Sequence, residues 1–201
     1  LSRVVGPVVA GAILASVVPS LTDTMSELVR RAFSREAVIV GPGIRTGMAI
    51  LYENPREVGA DRIVNAVAAY EWAKGGVIVV DFGTATTFDA ISAEGDYLGG
   101  AIAPGIGIAA EALFHRTAKL PRVDLARPPD AIGRNTVHAI QSGMLFGYAG
   151  LVEGMVARFR QELGPGTKVI GTGGLAELVA AETAVIEVVA PWLTLDGLRI
   201  I

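Results

Sequence analysis

Asp81 stands at the end of the run Val77-Ile78-Val79-Val80 and is followed by Phe82-Gly83-Thr84-Ala85-Thr86-Thr87, after which a second apolar run continues to Ser92. Four apolar residues, three of them valine, read as a buried strand. Asp81 then places a carboxylate at the strand's carboxyl end. Gly83 lets the backbone turn tightly and come close to another group. Thr84, Thr86 and Thr87 supply hydroxyls beside main-chain N–H groups. The result is a strand–turn–strand device able to hold phosphate and its cation without a helix or a lysine. The same letters also fit an ordinary hairpin that happens to contain Asp-x-Gly-Thr, and the motif alone leaves both readings open.

The elements that would position this turn follow from periodicity. Val8 to Val18 reads as a first strand. Ser20 to Phe33 reads as a helix, with Leu21, Met25, Leu28, Val29 and Phe33 on one face and a capping-box pattern in Thr24 and Glu27. Ala37 to Val40 is a short strand, Gly41-Pro42-Gly43 a turn, and Thr46 to Leu51 a further strand. Gly59 to Trp72 is helical, with Ile63, Val67 and Tyr70 on one side. The Val77–Ser92 unit continues through a turn at Ala93-Glu94-Gly95-Asp96 into a strand Tyr97–Ala103. Ile106 to Arg116 is a helix and Leu120 to Pro129 is irregular. Asn135 to Leu163 is one long helix with Asn135 as its N-cap. Lys168–Gly171 and Val185–Val189 are strands around a helix Leu175–Ala181, and a short tail closes the chain. Strands alternating with helices, interrupted by hairpins, make an α/β protein that is not a plain βαβαβ ladder.

The 201 residues are 51% apolar and 18% charged, with a net charge of -3. A sizeable core is available for one large or two small domains. The charge balance argues against a nucleic-acid surface, which needs a basic patch or stripe. There is no cysteine, so disulfides and thiolate metal sites are excluded within this chain, in keeping with a reducing compartment. The apolar stretch Val4 to Val18 reads as an interior strand and not as a targeting segment. A start at Leu1 near such a strand points to a further N-terminal piece.

Several motifs are weaker than they look. Gly105-Ile106-Gly107-Ile108-Ala109-Ala110 fits the dinucleotide pattern, but it follows a hairpin arm and Pro104 where that pattern needs the first strand of a βαβ unit. A tight loop opening a helix is the better reading. No Walker-type loop occurs. His115 and His138 are the only histidines; they stand far apart and read as helix-surface residues. Met144 and Met155 read as core fillers. Gly143, Gly147, Gly150 and Gly154 form one stripe along the long helix. Each costs about 1 kcal/mol of helix propensity against alanine, so close approach of another backbone is expected, in an internal contact or at a dimer seam. Gln141, Glu153, Arg158 and Arg160 leave too short an apolar run for a membrane span.

Two further segments make the phosphate reading specific. One is Ile50-Leu51-Tyr52-Glu53-Asn54-Pro55-Arg56-Glu57-Val58-Gly59-Ala60-Asp61-Arg62. The other is Leu98-Gly99-Gly100-Ala101-Ile102-Ala103-Pro104-Gly105, followed by Ile132-Gly133-Arg134-Asn135-Thr136. With Val80-Asp81-Phe82-Gly83-Thr84-Ala85-Thr86-Thr87 between them, in this order, the chain resembles type III pantothenate kinases from about Ser16 to Gly174. That family belongs to the acetate-kinase, sugar-kinase, Hsp70 and actin superfamily. The resemblance implies an actin-like ATPase fold of duplicated ribonuclease-H-like halves with mixed sheets, divided here as residues 1–75 and 76–201. It implies transfer of the γ-phosphoryl group of ATP to the primary hydroxyl of pantothenate, the first step of coenzyme A synthesis. It also implies Mg²⁺ with ATP, a monovalent cation (K⁺ or ammonium), a homodimer and a cytoplasmic location.

Carried over by position, Asp61 is the expected catalytic base. Tyr52 and Gly59, Ala60, Asp61 and Arg62 are expected at pantothenate, joined by Thr136 from the partner subunit. Asp81 is expected at the monovalent cation, with Thr84 and Gly83 at the ATP phosphates. Gly171-Thr172-Gly173-Gly174 resembles the superfamily's adenosine-side glycine turn, which puts Gly173 at the nucleotide. The chemistry agrees with these roles. Phosphoryl transfer is largely dissociative, so positioning and charge neutralisation dominate. A carboxylate at a helix start is held anionic by the macrodipole, which suits late proton transfer. Arg62 offers a fork for the carboxylate of pantothenate. On the residues alone, Asp61 also reads as a helix N-terminal acid and Arg62 as a surface charge.

Two rival readings remain within the superfamily: a non-catalytic Bvg accessory factor-like regulator of transcription, and a kinase for a sugar or carboxylate. Keeping Asp61, Arg62, Asp81, Thr84 and Thr136 together favours the enzyme over the regulator. The form of Tyr52 and Gly59 to Arg62 favours pantothenate over other acceptors. One departure stands out, because the family's first phosphate-binding hairpin, D-x-G-N-T, does not occur in the sequence. The 201-residue polypeptide is therefore expected to form little or no phosphopantothenate from ATP, while the parent protein carrying that hairpin is active. Assaying both side by side checks this, and full activity in the shorter one contradicts it.

Overall fold

A computed structural model describes residues 9–41 and 43–201. A parallel pair, β1 (Ala12–Ala15) and β2 (Ala37–Val40), is joined by the crossover helix α1 (Pro19–Phe33). Helix α2 (Ala60–Ala73) then leads into a five-stranded mixed sheet. Its strands are β3 (Val77–Phe82), β4 (Ala85–Ile91), β5 (Tyr97–Pro104), β6 (Lys168–Thr172) and β7 (Val188–Val189), in the order β5-β4-β3-β6-β7. The β5-β4-β3 half is antiparallel, and β3-β6-β7 is parallel. Helices α3 (Ile106–Arg116), α4 (Thr136–Leu163), α5 (Ala176–Ala180) and α6 (Leu193–Ile200) complete the chain. The mixed α/β class expected from the sequence is the one observed.

Side chains alternate across a strand, and β3 uses both faces. Ile78, Val80 and Phe82 face α4, where Leu145, Tyr148, Ala149, Val152 and Val156 cover them. Val77 and Val79 face α2, against Ala66, Ala68, Ala69 and Ala73. The alanines let α2 lie close to the sheet, and its amino-terminal turn reaches back to β1 and β2 through Ala60 and Val64. Asp81 has the same parity as Val77 and Val79, so it points toward α2.

Several elements depart from expectation. The first strand is confined to Ala12–Ala15 among the described residues, and Leu1 to Val8 lie outside them. Helix α1 starts at Pro19, whose fixed φ and missing N–H suit a first helical position, and Val18 caps it without a side-chain bond. Thr24 and Glu27 are therefore no capping box: the Thr24 hydroxyl donates to the Ser20 carbonyl and Glu27 pairs with Arg30 and Arg31. Thr46 to Leu51 forms no strand, because Gly47 takes φ 78° and breaks the extended run. Only Ile50 bridges, to Tyr97. Pro42 of the expected turn lies outside the described residues. Val185 to Val189 shortens to a two-residue strand.

The tail is not irregular, since α6 packs on α2. A Cβ on Gly197 would stand 2.1 Å from the Val64 carbonyl oxygen. The glycine that weakens helix propensity in Leu193-Thr194-Leu195-Asp196-Gly197-Leu198 is what admits the neighbouring backbone. The stripe on α4 behaves oppositely. Nothing lies within 4 Å of a Cβ placed on Gly143, Gly147 or Gly150, and Gly154 meets only the Arg158 side chain. Of the two expected contacts, internal or between subunits, the internal one is absent among the described residues, and the stripe is open.

Gly197→Ala is expected to cost about 1–3 kcal/mol by overpacking, or roughly 2–12 °C in Tm, whereas Gly75→Ala, whose added Cβ meets nothing within 4 Å, is expected to stay within about 0.5 kcal/mol of the parent. Thermal unfolding of both variants checks this, and an unchanged Tm for Gly197→Ala contradicts the α2–α6 contact.

Candidate active site

The Asp81 turn is built by three glycines with different duties. Phe82-Gly83-Thr84-Ala85 reverses the chain, closed by a 3.0 Å bond from Gly83 N–H to the Ala85 carbonyl. Gly83 has negative φ and ordinary room for a Cβ, so the turn does not itself demand glycine. Gly105, capping α3, could not carry a side chain: its Cβ would lie 2.2 Å from the Thr84 carbonyl oxygen. Gly173 takes φ 92°, and its Cβ would fall 2.6 Å from Asp81 Oδ1. The turn after β6 and the start of α3 therefore both press against Asp81–Thr84, leaving Gly83 and Thr84 exposed.

Facing this turn is the first stretch of α2. Asp61 is in the helix's first turn, and its Oδ1 accepts from the Arg62 backbone N–H at 2.9 Å. One helical turn on, Asn65 donates from Nδ2 to Asp81 Oδ2 at 3.1 Å. The Asn65 oxygen accepts from the Thr194 hydroxyl of α6 at 2.7 Å. Asp81 is held above its usual carboxylate range, first by burial and then by the charge of Asp61, with the Asn65 bond pulling the other way. The two carboxylates are thus close enough for the charge of one to act on the other.

Arg62 points elsewhere and is not a surface charge. It is buried, and its Nε donates to Asp89 Oδ1 at 2.7 Å. Asp89 also accepts from Tyr97 OH at 2.6 Å and from Thr87 Oγ1 at 3.3 Å. The guanidinium lies 5.9 Å from the centre of the Tyr97 ring. Arg62 Nη2 is buried with no partner among the described residues. Burial pushes the Asp89 carboxyl up to about 6, against the lowering effect of Arg62, Tyr97 and Thr87. Burial and the adjacent Asp89 push the Tyr97 phenol up, so it remains a donor.

The remaining expected residues are placed as follows. Tyr52 is half-buried, with its ring against Gly99. Gly59 caps α2, and a Cβ there would stand 2.5 Å from Asp61 Oδ1. Ala60 is buried beside Val64. Thr136 opens α4 and is exposed; it lines a different cavity, of about 530 Å³, with Gly133, Arg134 and Gly143. Within one chain it is not brought to Asp61. A cavity of about 620 Å³ opens beside Gly83 and Thr84, walled by Ile108, Glu111, Val123 and Leu175. Sequence reasoning passed over Asn65, Asp89, Tyr97 and Thr194. Asn65 was recoverable as the residue four after Asp61 on a helix, and Asp89 as an acid inside an apolar strand. Nothing local marks Thr194.

A glycine–threonine turn at the carboxyl end of a mixed sheet, with a helix-borne carboxylate near it, is an arrangement suited to phosphoryl transfer. The pattern of the type III pantothenate kinase family matches residues 2–158. A type III pantothenate kinase of Myxococcus xanthus is 58% identical over 193 residues, covering 96% of this chain and 75% of the relative. One from Moorella thermoacetica is also 58% identical over 193 residues, covering 96% and 76%. A crystal structure from Campylobacter jejuni, described as a Baf family transcriptional activator, superposes with a TM-score of 0.63 at 21% identity, covering 94% of this chain and 80% of that one. That likeness concerns the fold alone. The chain belongs to the type III pantothenate kinases. Its function is the ATP-dependent phosphorylation of pantothenate in coenzyme A biosynthesis. Among the described residues no helix is long and apolar enough to cross a membrane.

Because Asp89 holds its proton more tightly folded (about 6) than unfolded (near 3.8), its contribution to stability is lost as pH rises from about 4 to about 6. The loss is on the order of 3 kcal/mol. The Tm of the parent minus that of Asp89→Asn is expected to fall across this window. A difference that rises with pH contradicts the assignment.

Proposed function

We propose that Asp61 is the base that takes the proton of pantothenate's primary hydroxyl, and that the Gly83–Thr84 turn and Gly173 hold the ATP phosphates opposite it. The observation that supports this reading is the nearness of the two carboxylates: the charge of Asp61 acts on Asp81, and Asn65, one helical turn on from Asp61, bonds Asp81. Asp61 lies in the first turn of α2, where the macrodipole favours its anion. It orients the hydroxyl and accepts the proton late, as a loose phosphoryl transfer allows. Arg62 pairs with the substrate's carboxylate, with Tyr52 and Gly59–Ala60 along its length. The adenosine lies toward the cavity beside Thr84.

Asp81 is the residue that would hold a monovalent cation. Oδ2 is taken by Asn65, while Oδ1 faces the glycines of the two turns. No cluster of three or more acids, histidines or cysteines occurs among the described residues. One carboxylate with hydroxyl and carbonyl oxygens suits a hard, singly charged ion. Such an ion neutralises the repulsion between Asp81 and Asp61. Mg²⁺ fits as an ion carried in with the phosphates, since it keeps few protein ligands in such sites.

The protein is a homodimer in this reading. The open glycine stripe of α4 supports an intersubunit seam, and Thr136, remote from Asp61 in its own chain, reaches pantothenate of the partner. The halves divide near residue 75, after α2, and the enzyme works in the cytoplasm. Asp61→Asn is expected to lower kcat about 10²–10⁴-fold while leaving both KM values within a few-fold. Steady-state kinetics check this; an unchanged kcat removes Asp61 from the role.

A further inference from the structure

Arg62 is fixed by more than one strand. Directly opposite residues share a face, and Val79, Asp89 and Gly100 are register partners across β3, β4 and β5. All three therefore face α2. This row presents an apolar residue, an acid and a residue without a side chain, in that order. Asp89 is fully buried. A buried carboxylate is tolerated only when it is paired and its lone pairs are used, and Arg62 Nε, Tyr97 OH and Thr87 Oγ1 meet that condition. Gly100 is where the guanidinium extends: a Cβ there would lie 2.8 Å from Arg62 Nη2. Next to it, Gly99 takes φ 124° and leaves room for the Tyr52 ring.

The pair is asymmetric. Asp89 engages the guanidinium through Nε, and its other bonds come from Tyr97 and Thr87. Among the described residues Nη2 has nothing to donate to, and an unpaired buried donor costs about 1–3 kcal/mol. A group retained at that cost, on the residue after the proposed base and beside Gly100, is suited to a ligand acceptor. A guanidinium free to rotate would lose the fixed direction that makes the fork selective for a planar carboxylate.

We propose that Asp89, assisted by Tyr97, is a positioning residue that fixes the Arg62 guanidinium by its Nε edge, so that the remaining nitrogens select the carboxylate end of pantothenate. The proposal rests on the reading of Arg62 as partner of that carboxylate. Asp89 itself does not touch the substrate. It acts on acceptor recognition, through Arg62, and not on ATP or on the proton transfer at Asp61.

The test compares pantothenate with its primary amide, which keeps the hydroxyl and removes the charge, at temperatures well below each variant's Tm. The parent enzyme is expected to prefer the acid in kcat/KM. Arg62→Lys is expected to reduce that preference at least tenfold; an unchanged preference overturns the reading of Arg62 itself. Asp89→Asn is expected to reduce it about tenfold, through KM for pantothenate, with KM for ATP within twofold. In an Arg62→Lys background Asp89→Asn is expected to add less than twofold, because interacting residues are not additive. Loss of preference in Arg62→Lys but not in Asp89→Asn overturns the positioning role, as does a fully additive double variant. If Asp89→Asn does not fold, Tyr97→Phe decides, since it removes one donor and keeps the ring. A two- to fivefold loss of acid preference supports the proposal, and none overturns it.

Discussion

Helix α2 lies flat against one face of the mixed sheet, and every polar feature of the site follows from that contact. Alanine at positions 66, 68, 69 and 73 brings the helix close. The two-residue alternation of β3 turns Asp81 toward it, and register carries Thr87 and Asp89 to the same face. A helix this close to a strand bearing acids must answer them with polar side chains. Asn65 answers Asp81 and Arg62 answers Asp89. Asp61, the remaining polar residue of that turn, is left at the helix start, facing the open cleft.

The two acids on the sheet are handled differently, and the difference assigns their uses. Asp89 is sealed, with two hydroxyls and a guanidinium donating to it, as the proposed positioning role requires. Asp81 is only half-buried, has one neutral donor and stands near a second carboxylate. An under-compensated carboxylate of that kind suits the cation proposed for it, and a side chain at position 173 would crowd its free oxygen. Thr194 reaches this group through Asn65, so α6 takes part in orienting the side chain that bonds Asp81.

Much of this was legible in the sequence. The turn after Val80, the helix opening at Ala60, the long helix capped by Asn135 and the hairpin to Tyr97 follow from runs, caps and turn residues. The family resemblance pointed to Asp61 and Asp81, and the fold brings the two carboxylates near each other. What the sequence hid is what depends on packing between distant segments. Arg62 looks like a surface charge until the register places Asp89 beneath it. Leu193 to Ile200 looks like a tail because Gly197 depresses helix propensity, and only its contact with Val64 explains that glycine. Thr46 to Leu51 has the composition of a strand, yet a left-handed Gly47 prevents one. The α4 glycines show the converse, since their spacing anticipates a partner that the single chain does not supply.

The account stands or falls on where the two substrates lie relative to α2. A crystal structure with pantothenate and a non-hydrolysable ATP analogue tests it most directly. The account requires the terminal phosphate at the Gly83–Thr84 turn and the primary hydroxyl within hydrogen-bond reach of Asp61, with the substrate carboxylate toward Arg62. Pantothenate bound away from α2, or a nucleotide whose phosphates lie on the α4 face of the sheet, would contradict it.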